Sequence, residues 1–116
     1  MPRKIDWLYH RNACATCKKA ADYRDSCGAE VAEVVDARKV RYDAKAALKL
    51  LDGIDRLVAS KGKKVTTFDL KKARPADEEL LAVLMGPTGN LRAPTARVGK
   101  TLMVGFSEDM YREVLG

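Results

Sequence analysis

The chain has 116 residues, 47% of them hydrophobic and 33% charged. That is enough for one domain spanning 1–116 around a single core, and it excludes a disordered or membrane-embedded chain. The formal net charge of +6 comes from clusters such as "RKVRYDAK", "SKGKK" and "KKAR", with Asp and Glu interleaved elsewhere.

In chain order, "KIDWLYH" places Ile5, Trp7 and Tyr9 at alternate positions and predicts a first strand with Trp7 and Tyr9 in the core. A turn-like "RNA" follows. From Cys14 to Cys27 the spacing predicts a helix with Cys17, Ala20, Ala21 and Cys27 near one face, stopped by Gly28. "EVAEVVDA" is rich in Val and predicts a second strand, with Asp36 and Arg38 in a solvated turn at its end. "DAKAALKLLDG" opens on a capping Asp43, spaces Ala44, Ala47, Leu48 and Leu51 helically, and closes at Gly53. "IDRLVASKG" reads as a short helix or turn, and "VTTFDL" is too short to assign.

"RPADEELLAVLMG" predicts a helix started by Pro75, with acids in the first turn and Leu80, Leu81, Leu84 and Met85 on one face. "LRAPTARV" and "TLMVGF" are β-like runs joined by "GK", which predicts a hairpin. "SEDMYREVLG" closes as a helix capped by Ser107, with Met110, Tyr111, Val114 and Leu115 apolar. The order β-α-β, helices, β-β-α predicts an α/β fold. It is thioredoxin-like: a mixed four-stranded sheet flanked by helices, with a helical insertion between the βαβ and ββα halves.

The chemistry centres on Cys14 and Cys17, in "ACATC". A structural zinc site needs four ligands. Beyond this pair the chain offers only Cys27 and His10, so no metal is expected. Cys27 reads as a small packing residue at a helix end. Cys14 stands where the first strand gives way to the helix, where outward N–H groups and the helix dipole favour a thiolate. Arg11, Lys18 and Lys19 add positive charge. Cys17, one turn on, is placed to resolve a disulfide formed on Cys14, and C-x-x-C near a βαβ pattern is a redox signature. His10 either tunes the thiol or is a polar strand end. Pro94 opens the predicted third strand, where a thioredoxin-like fold has a cis peptide bond facing the thiol.

"YHRNACATCKKA", the middle helices, and "LRAPTARVGKTLMVGFSED" together resemble the arsenate reductase family and its Spx-type relatives over essentially the whole chain. The resemblance implies Cys14 as nucleophile and Cys17 as the partner thiol of Spx-like members. It implies an anion-binding turn at Asn12 and Ala13, with Pro94 beside them. The family's three arginines fall here on Lys61 or Lys63, on Ala93 with Arg92 adjacent, and on Leu102, while Arg97 is a candidate from the neighbouring strand. Lysine is a point charge and not a bidentate fork. The resemblance therefore supports thiol chemistry in a subgroup apart from authentic arsenate reductases.

The expected function is a thiol–disulfide oxidoreductase. It would act on a small oxidised or oxyanion substrate or a protein disulfide, and be re-reduced by glutathione with glutaredoxin or by thioredoxin. The alternative is a redox-sensing regulator that binds RNA polymerase or another protein partner, with "RKVR" and "SKGKK" as its surface. The odd cysteine count and the missing apolar leader lead to the expectation of a cytoplasmic protein. A monomer is expected, with no bound cofactor and no membrane or direct nucleic-acid partner.

Overall fold

A computed structural model describes residues 4–11, 15–61, 64–72, 74–86 and 89–115. Its elements run β1 (Lys4–Ile5), β2 (Trp7–His10), α1 (Ala15–Cys27), β3 (Glu30–Val31), β4 (Val34–Asp36), α2 (Ala44–Lys49), β5 (Arg56–Lys61), β6 (Lys64–Asp69), α3 (Asp77–Leu84), β7 (Thr95–Val98), β8 (Thr101–Val104) and α4 (Glu108–Leu115). The main sheet has the order β4-β2-β7-β8-β5-β6, and β1 pairs with β3 beside it. β2 is parallel to β4 and β5 to β8, while β2–β7, β7–β8 and β5–β6 are antiparallel.

The α/β class and the mixed sheet agree with expectation, but the sheet is six strands wide instead of four. The difference lies in the insertion, which is helix–hairpin–helix and not wholly helical. β5 occupies the stretch taken for a short helix or turn. Leu57, Val58, Ala59 and Ser60 are all buried, because this strand is covered on both faces. Such a strand is a continuous apolar run whose periodicity does not distinguish it from a buried helix. Its partner β6 is the unassigned "VTTFD" segment, whose β-branched residues suit a half-buried strand at the sheet edge.

The first strand also differs in detail. A bend at Asp6, whose N–H donates to the Arg97 carbonyl, separates β1 from β2 and breaks the alternation. Ile5 and Leu8 therefore pack on one face of the sheet, while Trp7 and Tyr9 pack on the other. Both faces of β2 are buried, as its central place requires.

The chain ends and caps follow their local signals. Gly28 takes φ +70° after α1, and the Ala29 N–H closes back on the Arg24 carbonyl. The Asp43 carboxylate accepts from the Ala46 N–H at 2.9 Å at the start of α2. α2 itself ends at Lys49, four residues before Gly53. Pro75 precedes α3 rather than opening it, and Ala76 is the cap residue, with no side-chain bond. The Ser107 hydroxyl accepts from the Met110 N–H at the head of α4. The two-residue link Gly99–Lys100 joins β7 to β8, with Gly99 at φ +58°.

Two layers cover the sheet. Ala47 of α2, Leu51 just after it, and Leu80 and Leu84 of α3 pack against Trp7, Tyr9, Leu57, Leu102 and Val104. Ala20 of α1 and Met110 and Tyr111 of α4 pack against Ile5, Leu8, Val58, Ala96 and Met103.

Candidate functional site

β2 and β4 are parallel neighbours, so their carboxyl ends lie side by side, and in open α/β sheets that end is where ligands gather. Past β4 the chain makes a tight turn. The Asp36 carboxylate accepts from the Arg38 N–H at 2.9 Å, and the Asp36 carbonyl accepts from the N–H groups of Lys39 and Val40. The Ala37 N–H donates to the His10 carbonyl at 2.8 Å, tying the turn to the end of β2. Tyr9 then reaches out from the sheet and donates its hydroxyl to the Val40 carbonyl at 2.7 Å. Burial, followed by the nearby Tyr42 phenol, raises the Tyr9 pKa above its ordinary 10.0, and Arg41 and Arg11 oppose that rise.

The opposite wall comes from the chain between α3 and β7. The Leu91 N–H donates to the Tyr42 carbonyl, and the Arg92 N–H to the Leu84 carbonyl, both at 2.8 Å. The Arg92 side chain turns inward, with Nη2 donating to the Ser60 carbonyl at 2.9 Å. Burial lowers its pKa. Gly105 makes this reach possible: its φ is +82°, and a Cβ there would stand 2.6 Å from the Ser60 carbonyl oxygen and 3.3 Å from Arg92 Nη2. The glycine of "VGF" is thus required both by its left-handed backbone and by close approach. Its N–H donates to the Pro94 carbonyl at 2.8 Å, and the Ala93–Pro94 bond is cis, as the thioredoxin-like plan anticipates.

Between these walls lies an open cleft of about 550 Å³. Arg11, Arg38, Arg41 and Arg92 line it with Tyr9, Asn90, Leu91 and Ala93, and no acidic residue is among its described lining. The described ion pairs involve Arg56, Arg74 and Arg112, none of them in the cleft. Four arginines and no described carboxylate line the cleft, which gives it a positive field, while the Arg92 fork is engaged with the Ser60 and Val83 carbonyls.

The expected site residues distribute as follows. Asn12, Ala13 and Cys14 lie outside the described residues, as does Lys63. α1 begins at Ala15, immediately after Cys14, and Cys17 falls in its first turn. Lys61 ends β5, paired with Lys64 across the hairpin. Arg11 lines the cleft, and His10 sits half-buried at the end of β2, in register with Asp36. Arg92, a candidate anion-binding residue, is in the cleft lining, and its guanidinium donates to the Ser60 and Val83 carbonyls. Arg97 lies opposite Trp7 and Leu102, exposed, two residues beyond Thr95 and away from Pro94; it is not in the cleft lining. Ala93 presents only a methyl to the cleft, and Leu102 is a core residue with 1% exposure.

Arg38 and Arg41 were not singled out for this site. Arg38 was assigned to a solvated turn, and no spacing links positions 11, 38, 41 and 92. The parallel pairing of β2 with β4 brings them together.

The model of the ArsC family matches residues 9–114. The chain belongs to the ArsC family. It is thereby one of the arsenate reductase-like, thiol-dependent redox proteins. A solved structure titled YffB protein shares the fold with a TM-score of 0.56 at 19% identity, covering 95% of this chain and 98% of that one. No curated protein matches the sequence. Among the described residues of this family member, no helix is long and apolar enough to cross a membrane.

Proposed function

We propose that this ArsC family member is a thiol–disulfide oxidoreductase in which Cys14 is the nucleophile and Cys17 the resolving thiol. The observation that carries the reading is the position of the pair. Cys17 falls in the first turn of α1, Cys14 immediately precedes that helix in the sequence, and the strand before it, β2, pairs with the start of β7 beside Pro94. The Cys14 thiolate would attack one sulfur of a substrate disulfide, forming a mixed disulfide and releasing the first substrate thiolate. Cys17 would then attack the Cys14 sulfur, forming a Cys14–Cys17 disulfide and releasing the second thiolate. The substrate gains two electrons and the protein loses two, which a cellular dithiol returns by the reverse exchange.

The sequence position of Cys14 immediately before α1 supports a lowered thiol pKa, because a helix N-terminus favours a thiolate. Arsenate is not the substrate favoured, since Ala93 and Leu102 occupy the positions where the resemblance implies guanidinium donors.

Titrating Cys14 with a thiol probe against pH should give a pKa below the free-thiol value of about 8.5. A value at or above it sinks the nucleophile assignment. Cys14→Ser should abolish turnover with a disulfide substrate and a thioredoxin or glutaredoxin system, and Cys17→Ser should trap a mixed disulfide on Cys14. If there is no turnover, and polymerase is captured in only one redox state, the protein is a redox-sensing regulator instead.

A further inference from the structure

The two edges of the main sheet differ. β4 offers three residues, whereas β6 offers six, all paired to β5, with no strand beyond it among the described residues. The Leu70 N–H donates to the Asp55 carbonyl, and in this antiparallel register Thr66 and Phe68 bond to β5 while Val65, Thr67 and Asp69 turn their backbone groups outward. All three are exposed, Val65 to 37%. A strand with one open row of N–H and C=O groups is a template for one more strand. Its charge sits at the ends: Lys64 heads β6, Lys71 and Lys72 follow it, and all three are exposed. The described ion pairs involve none of these lysines. Asp69, the one acid of β6, accepts from the Lys71 and Lys72 N–H groups through Oδ1. The lysines argue against a second copy of this chain as the added strand. Antiparallel pairing of β6 with itself would bring Lys64 of one copy toward Lys71 and Lys72 of the other, like charge on like.

We propose that the β6 edge binds an extended acidic segment of a partner protein, which adds to the sheet as a further strand. The outward N–H and C=O groups of Val65, Thr67 and Asp69 would supply the main-chain bonds and Val65 an apolar contact. Lys64, Lys71 and Lys72 would meet carboxylates near the two ends of the segment. This goes beyond the redox reading, because binding needs neither cysteine.

The test is fluorescence anisotropy of the full chain with a fluorescein-labelled peptide of alternating Val and Thr that carries Glu pairs at both ends, at low ionic strength. This peptide should bind saturably, and its counterpart with Lys pairs should not. Methylating the backbone nitrogens of the central Val and Thr residues keeps the charge and should abolish binding. Thr67→Pro removes an outward N–H and keeps the bonds to β5, so affinity should fall at least tenfold while the unfolding midpoint shifts little. Lys71→Glu/Lys72→Glu should also weaken the affinity at least tenfold. Lys4→Glu/Lys39→Glu makes the same charge change on β1 and in the turn after β4, away from β6, and should leave affinity intact. The Cys14→Ser/Cys17→Ser variant should bind as the parent does, even if the redox assignment fails. The proposal is overturned by undiminished binding of the methylated peptide, by equal weakening in the two lysine variants, or by loss of binding in the cysteine variant. A dimer that Thr67→Pro dissociates would overturn it too, by making a second copy the occupant.

Discussion

Each face of the main sheet carries a trio of aromatic rings. Tyr23, Phe106 and Tyr111 meet edge-on with centroids 4.9–6.0 Å apart on the face packed by α1 and α4. Trp7, Tyr9 and Tyr42 meet at 5.1–6.0 Å on the face packed by α2 and α3. In the first trio Tyr111 lies wholly inside, with Tyr23 and Phe106 half-buried beside α1 and α4. The second lies under loops at its β4 end, and there Tyr9 forms part of the cleft wall while its hydroxyl holds the turn that carries Arg38 and Arg41. The same aromatic mass serves only cohesion in one layer, and both cohesion and the wall of a cleft in the other. What separates them is the cover. Helices satisfy their own backbone groups and close over a face, whereas the loops here must be tied down bond by bond and leave a gap between them.

The largest effect that would sharpen this contrast is Tyr111→Ala in the first layer. It should lower the unfolding free energy by about 3–5 kcal/mol in a urea titration. A smaller loss would break the division between the layers.

Gly105 lies at the seam. The Ser60 carbonyl beside it accepts from Arg92 of the cleft, and the Ser60 hydroxyl donates to the Phe106 carbonyl next to the first layer. Gly105→Ala should cost about 1–2 kcal/mol for the left-handed backbone, and about 1–3 kcal/mol more for the overlap with Ser60. The same titration measures the sum. A loss no larger than the backbone cost would show that Ser60 and Arg92 give way to the new methyl group.

The smallest effect belongs to Tyr9→Phe, which removes one hydrogen bond worth about 0.5–1.5 kcal/mol. It also has a pH signature. The folded state raises the Tyr9 pKa above 10.0, chiefly by burial, so the fold favours the neutral phenol. Stability should therefore hold below that pH and decline as pH climbs through it towards the folded value, as the phenolate forms more readily in the unfolded chain. Comparing urea midpoints at about pH 9 and about pH 11 should show a steeper decline in the parent than in Tyr9→Phe. Equal slopes would mean that the Tyr9 hydroxyl does not couple the sheet to the arginine turn.

Much of the fold was legible locally. Gly28, Asp43 and Ser107 mark helix boundaries through their own backbone or side-chain bonds, and those are properties of a few adjacent residues. The hairpin at Gly99–Lys100 and the parallel first pair of strands were legible for the same reason. β5 was not, because burial on both faces erases the alternation that identifies a strand, and that burial depends on β8 and β6 arriving from elsewhere in the chain.

The sequence by itself determined the spacing of Cys14 and Cys17, the βαβ order around it, and the family. Those rest on short spacings that any neighbourhood of the fold preserves. Only the tertiary structure decided where charge accumulates. Arg11, Arg38, Arg41 and Arg92 are spread over 82 positions of the chain, and they share a cleft because β2 pairs with β4 and the segment before β7 folds back across their ends. Electrostatics sums over distance in space and ignores distance along the chain, so the composition could report an excess of positive charge but not the cleft that gathers it.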